Sequence, residues 1–108
     1  MPKIDVSAKD LKVVLRILQA HAPECEVWAF GSRVAKTAKK FSDLDLVLMT
    51  PRPLEAMRFI ELKEAFSESD LPFRVDVLDW SGVNEKFREI IRHNYVIVQK
   101  AAPDSDKA

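Results

Sequence analysis

Residues 27–49, VWAFGSRVAKTAKKFSDLDLVLM, decide how this chain folds. Val27 to Phe30 is short, apolar and β-prone, so it reads as a buried strand. Gly31-Ser32 breaks it: glycine permits a positive φ and close backbone approach, and serine caps helices, so a helix is expected to open at Arg33. A strand running into a helix N-terminus leaves free N–H groups and a positive dipole end, which suits a phosphate. Asp43 to Met49, DLDLVLM, alternates strictly. Asp43, Asp45, Val47 and Met49 share one face of a strand and Leu44, Leu46 and Leu48 the other. Burying the leucines fixes the register, because a slip of one residue would bury carboxylates. Carboxylates two residues apart on a strand sit roughly 6.5–7 Å apart at the backbone and can converge on one ion. Like charges at that spacing raise each other's pKa. A hard divalent cation bound by oxygen removes the penalty, and Mg²⁺ matches the ligand type.

The remaining elements follow outward from this stretch. Ser7 to Asp10 forms a variant capping box, and Leu11, Val14, Leu15 and Leu18 recur at helical spacing up to His21, before Pro23. Beyond the first strand, residues 33–40 read as a short basic helix. Thr50 to Pro53 is a turn, and 54–69 a helix ended by Ser-Glu-Ser-Asp and Pro72. Phe73 to Leu78 is a third strand whose Val75 and Val77 join the leucines, leaving Asp76 on the face of Asp43 and Asp45 if the strands are neighbours. Asp79 reads as a turn or cap before Ser81-Gly82. Asn84 caps a last helix carrying Phe87, Ile90 and Ile91, and residues 95–98 form a short strand or extended segment. His21 and His93, at helix C-termini, and Cys25, a small apolar residue, carry no expected chemistry. The domain is expected over residues 1–100, with a flexible tail at 101–108.

Composition bounds the function. A chain of 108 residues is one small domain, with little material for a separate substrate domain. Seventeen Lys and Arg balance 17 Asp and Glu, which argues against nucleic acid as a direct partner. One cysteine excludes an internal disulfide and a cysteine metal cluster. No apolar run approaches the ~18 residues of a membrane span, nor does the N-terminus carry a leader-like apolar region, so a cytoplasmic location is expected.

Gly31-Ser32, ten residues, then Asp43-x-Asp45, with a third strand acid at Asp76, resembles the signature of the DNA polymerase β-type nucleotidyltransferase superfamily. The short length makes the chain similar to its minimal nucleotidyltransferase (MNT) group, the antitoxin partners of HEPN-domain toxins. The resemblance implies an α+β fold, a small mixed sheet with helices packed on one face. It implies two Mg²⁺ ions on Asp43 and Asp45, with Asp76 holding the ion that activates the acceptor or serving as its base. The phosphates of ATP would lie on Gly31, Ser32 and Arg33, with Ser42 near the nucleotide. AMP would pass to a tyrosine hydroxyl of a HEPN toxin encoded by a neighbouring gene. The carboxylate face is expected to be open and to continue as Val47, Met49, Leu78 and Trp80, a row suited to docking that protein. Occlusion of the toxin without catalysis, and adenylylation of a small molecule, are the competing readings. A homodimer or hetero-oligomer is compatible with either.

Overall fold

A computed structural model describes residues 4–101. The tail expected at 101–108 therefore lies outside the described residues, apart from Ala101. The elements are α1 (Ala8–His21), β1 (Glu26–Phe30), α2 (Ser32–Ala35), β2 (Leu44–Met49), α3 (Ala56–Ser67), β3 (Val75–Asp79), a 3-10 turn (Trp80–Gly82), α4 (Glu85–His93) and β4 (Tyr95–Gln99). α1 opens where the capping box places it, with Ser7 Oγ accepting the Asp10 N–H at 3.1 Å. α2 is shorter than the expected 33–40 helix. Lys36 turns into the left-handed region at φ 64° and ends it after one turn.

The four strands form one mixed sheet in the order β3-β2-β1-β4. β1 is antiparallel to β2 and β4, whereas β2 and β3 run parallel, with α3 as the crossover that parallel strands require. The leucine face of β2 behaves as its alternation dictates. Leu44, Leu46 and Leu48 are fully buried with Val27, Ala29 and Val77 against Val14 and Leu18 of α1 and Leu62 and Phe66 of α3.

The opposite face departs from expectation. Helices lie on both faces of the sheet, not one. α4 sets Phe87 and Ile91 against Phe30 and Val47, and Trp28, Met49, Leu78 and Trp80 pack around them. The row Val47, Met49, Leu78 and Trp80 is thus largely covered, with Val47 wholly buried, and is not a free docking surface. The cause lies in β1, where Trp28 and Phe30 share the face of Val47. A face that apolar gains more from a helix than from water, and α4 has one apolar stripe to bury. Trp28 also stacks on Tyr95 of β4, with ring centroids 3.8 Å apart and 13° between the planes.

At the end of β3, Asp79 is a turn residue, as its position before Ser81-Gly82 suggests. Its carboxylate accepts four hydrogen bonds, from the Thr50 hydroxyl, the Leu54 N–H, the Ser81 N–H and the Ser81 hydroxyl. Burial pushes its pKa up, but these donors outweigh burial and hold it below the ordinary value. The folded pKa is depressed, so the stabilisation is complete above about pH 4 and fades as the pH falls through the folded value. Asp79→Ala strands donors near the core and is expected to cost about 2–3 kcal/mol at neutral pH. Calorimetric melting should show a midpoint lowered by roughly 10 °C or more, with a smaller difference in acid.

Candidate active site

The site is built where β1 leaves the sheet. Phe30 is the register partner of Asp45, so the next residue, Gly31, passes over the Asp45 carboxylate. Gly31 has φ 83°, and a Cβ there would overlap Asp45 Oδ2 and lie 3.1 Å from its Cγ. Conformation and contact both demand glycine. On the other side of β2, Asp45 is the register partner of Asp76 on the parallel strand β3. Parallel neighbours lie about 4.8 Å apart, which puts the two carboxylates side by side.

Asp45 is half-buried, and its pKa is pushed up to about 6, first by burial, then by the charges of Asp76 and Asp43. Among the described residues the ion pairs involve Arg58 and Arg92, so no cation offsets these three acids. Oxygen donors that are crowded, partly dehydrated and without a counter-ion suit a hard divalent cation. Asp45 and Asp76 are the pair that would hold it. Asp43 precedes β2 and lines a neighbouring cleft with Phe41 and Arg74. Among the described residues no three acidic, His or Cys side chains are already gathered as a cage.

Gly31, Ser32, Asp45 and Asp76 line a cleft of about 590 Å³ whose apolar lining includes Phe30, Leu78, Phe87 and Ile90. That volume lies in the range of small-molecule sites. Phe87, Ile90 and Asn94 were not anticipated there, because spacing alone does not tell which sheet face an amphipathic helix covers.

Two expected nucleotide contacts lie elsewhere. Arg33 is only 6% exposed. Its guanidinium donates to the carbonyls of Ser42 (3.0 Å), Asp5 (2.7 Å) and Lys40 (3.2 Å) and lies 4.2 Å from the Phe73 ring centroid. A buried guanidinium must satisfy its donors, and these are spent on bracing the 36–43 loop and tying it to Asp5. Ser42 belongs to the same brace, its Oγ accepting the Lys39 N–H at 2.8 Å. Neither residue lines the cleft.

A mixed sheet whose strand end turns through glycine over paired strand carboxylates has the architecture of a nucleotidyltransferase. The chain belongs to the Polymerase beta, Nucleotidyltransferase family, whose model matches residues 12–102. It is 50% identical over 105 residues to a Haemophilus influenzae protein described as "Probable protein adenylyltransferase MntA", covering 97% of this chain and 92% of that one. Its fold resembles that of a toxin-antitoxin crystal structure with AMP-PNP (TM-score 0.70, 18% identity, 89% of this chain and 77% of that one). It also resembles the structure of a tri-AMPylated Shewanella oneidensis HEPN toxin in complex with MNT antitoxin (TM-score 0.62, 16% identity, 91% and 76%). At these identities the structural likeness is one of fold.

The raised pKa has a consequence for stability. Asp45 binds its proton more tightly folded than unfolded, so stability is complete below the unfolded value near pH 4 and declines as the pH rises through about 6. Asp45→Asn cannot ionise. In EDTA at pH 7.5 it should be more stable than the parent by the order of 1–3 kcal/mol, with the difference vanishing near pH 4. Melting curves across pH check this, and Mg²⁺ should raise the midpoint of the parent only.

Proposed function

We propose that this chain transfers AMP from Mg-ATP to a hydroxyl, a tyrosine's, on a HEPN-type toxin and so neutralises it. The observation that carries the reading is the Asp45–Asp76 register pair beneath the Gly31 turn. The 50% identity to a relative described as a protein adenylyltransferase supports it, and so do the fold neighbours, which are toxin-antitoxin complexes.

In this reading the Gly31 backbone and the Ser32 hydroxyl hold the β- and γ-phosphates in the cleft. The acceptor hydroxyl attacks the α-phosphorus, the bond to the pyrophosphate oxygen breaks, and pyrophosphate leaves on the opposite side. A divalent ion, or a pair of ions, bound by Asp45 with Asp43 and Asp76 would screen the triphosphate and lower the pKa of the attacking hydroxyl. Asp76, exposed on β3, would take the proton. The apolar wall of Phe30, Leu78 and Phe87 keeps water off the reacting phosphorus. Among the described residues no helix is long and apolar enough to cross a membrane, and work on Mg-ATP suits a place in the cytoplasm.

Incubating the chain with Mg²⁺, α-labelled ATP and the HEPN protein co-expressed from the adjacent gene should place label on that protein. EDTA should abolish labelling. Asp76→Asn and Asp45→Asn should each lower the rate roughly 10²–10⁴-fold without loss of fold. A tight complex that never becomes labelled would replace transfer with occlusion.

A further inference from the structure

Beside the proposed ATP cleft the sheet carries a second one, of about 660 Å³, lined among others by Phe41, Asp43, Lys63, Phe73 and Arg74. Three features separate it from ordinary surface. Asp43 stands at its edge, two residues before Asp45 of the first cleft, so the start of β2 carries a carboxylate to each cleft. Its cations have no carboxylate partner: among the described residues neither Lys63, whose Nζ lies 4.9 Å from the Phe59 ring centroid, nor Arg74, nor Lys40 beside it, takes part in an ion pair. Its rim carries Phe41, which is 68% exposed, with Lys40 Nζ 5.4 Å from the ring centroid.

The sheet order gives this cleft a direction. Gly31 and Ser32 follow β1, Asp45 lies on the adjacent β2 and Asp76 on β3, which Phe73 and Arg74 lead into. If the leaving pyrophosphate is held at the β1 side, in-line displacement requires the attacking hydroxyl to arrive from the β3 side. That is where the second cleft opens.

We infer that this cleft seats the acceptor protein through an acidic segment: its carboxylates meet Lys63 and Arg74, an apolar side chain covers Phe41, and its neutral hydroxyl reaches the reacting phosphorus past Asp43. The inference rests on the transferase reading for its direction and on cations without a carboxylate partner for its chemistry. It also supplies a docking surface in place of the Val47, Met49, Leu78 and Trp80 row that α4 covers.

The test is the double variant Lys63→Glu/Arg74→Glu, assayed for transfer and for binding to the adjacent-gene HEPN protein by titration calorimetry. The acceptor KM and Kd should rise roughly tenfold or more, and the salt dependence of binding should flatten, because reversed rim charges act on association. The KM for ATP and the melting midpoint should stay put, and Lys63→Arg/Arg74→Lys should restore acceptor binding. Should the double variant melt early, Lys63→Gln alone carries the same comparison, with a smaller rise. Acceptor KM and Kd both unchanged in a folded variant would overturn the assignment, as would a rise in the KM for ATP instead. A parent chain that binds the HEPN protein yet transfers nothing would sink the transferase reading, and the calorimetric comparison would still decide the cleft.

Discussion

Asp45, half withdrawn from water, is paired in register with Asp76 and stands two residues from Asp43, and among the described residues no cation offsets these acids. Nothing about the core requires this arrangement, because the leucines of β2 fix the register and packing whatever occupies the opposite face. The arrangement opposes folding at neutral pH, where the charged form of Asp45 is disfavoured. A domain of this size has a total stability of only about 5–15 kcal/mol, so such a term has to be offset by the core. The buried leucines, each worth about 1.5–3 kcal/mol, supply that margin.

The two faces of the sheet divide the work. Against α1 and α3 the sheet builds a dry core of Val, Leu and Phe side chains. Against α4 it builds a second, smaller cluster that stops short of the aspartates. Gly31 and Ser32 close the site from the β1 side, and the Arg33 brace fixes the loop that leads into β2. Arg33 thus acts on the site only through the backbone it holds.

Much of this was legible in DLDLVLM and in the parity of Arg74 to Leu78, because alternation reports directly which side chains share a face. The paired register of Asp45 and Asp76 follows once β2 and β3 are neighbours. Arg33 misled because a basic residue after Gly-Ser looks phosphate-facing, whereas its true acceptors are backbone carbonyls, which leave no mark on side-chain pattern. α4 misled for a different reason. Its stripe of Phe87 and Ile91 announces burial but not the surface it will meet, and the answer lay in the parity of Trp28 and Phe30, a strand away. The length of α2 was hidden in the single left-handed residue Lys36.

The central claim is that Asp45 is a carboxylate waiting for a cation, and titration of its side-chain carbon by NMR, with and without Mg²⁺, measures that directly. A midpoint at about 6 in EDTA that moves below the ordinary carboxylate range when Mg²⁺ is added is the expected result. An ordinary midpoint near 4 that ignores Mg²⁺ would contradict it.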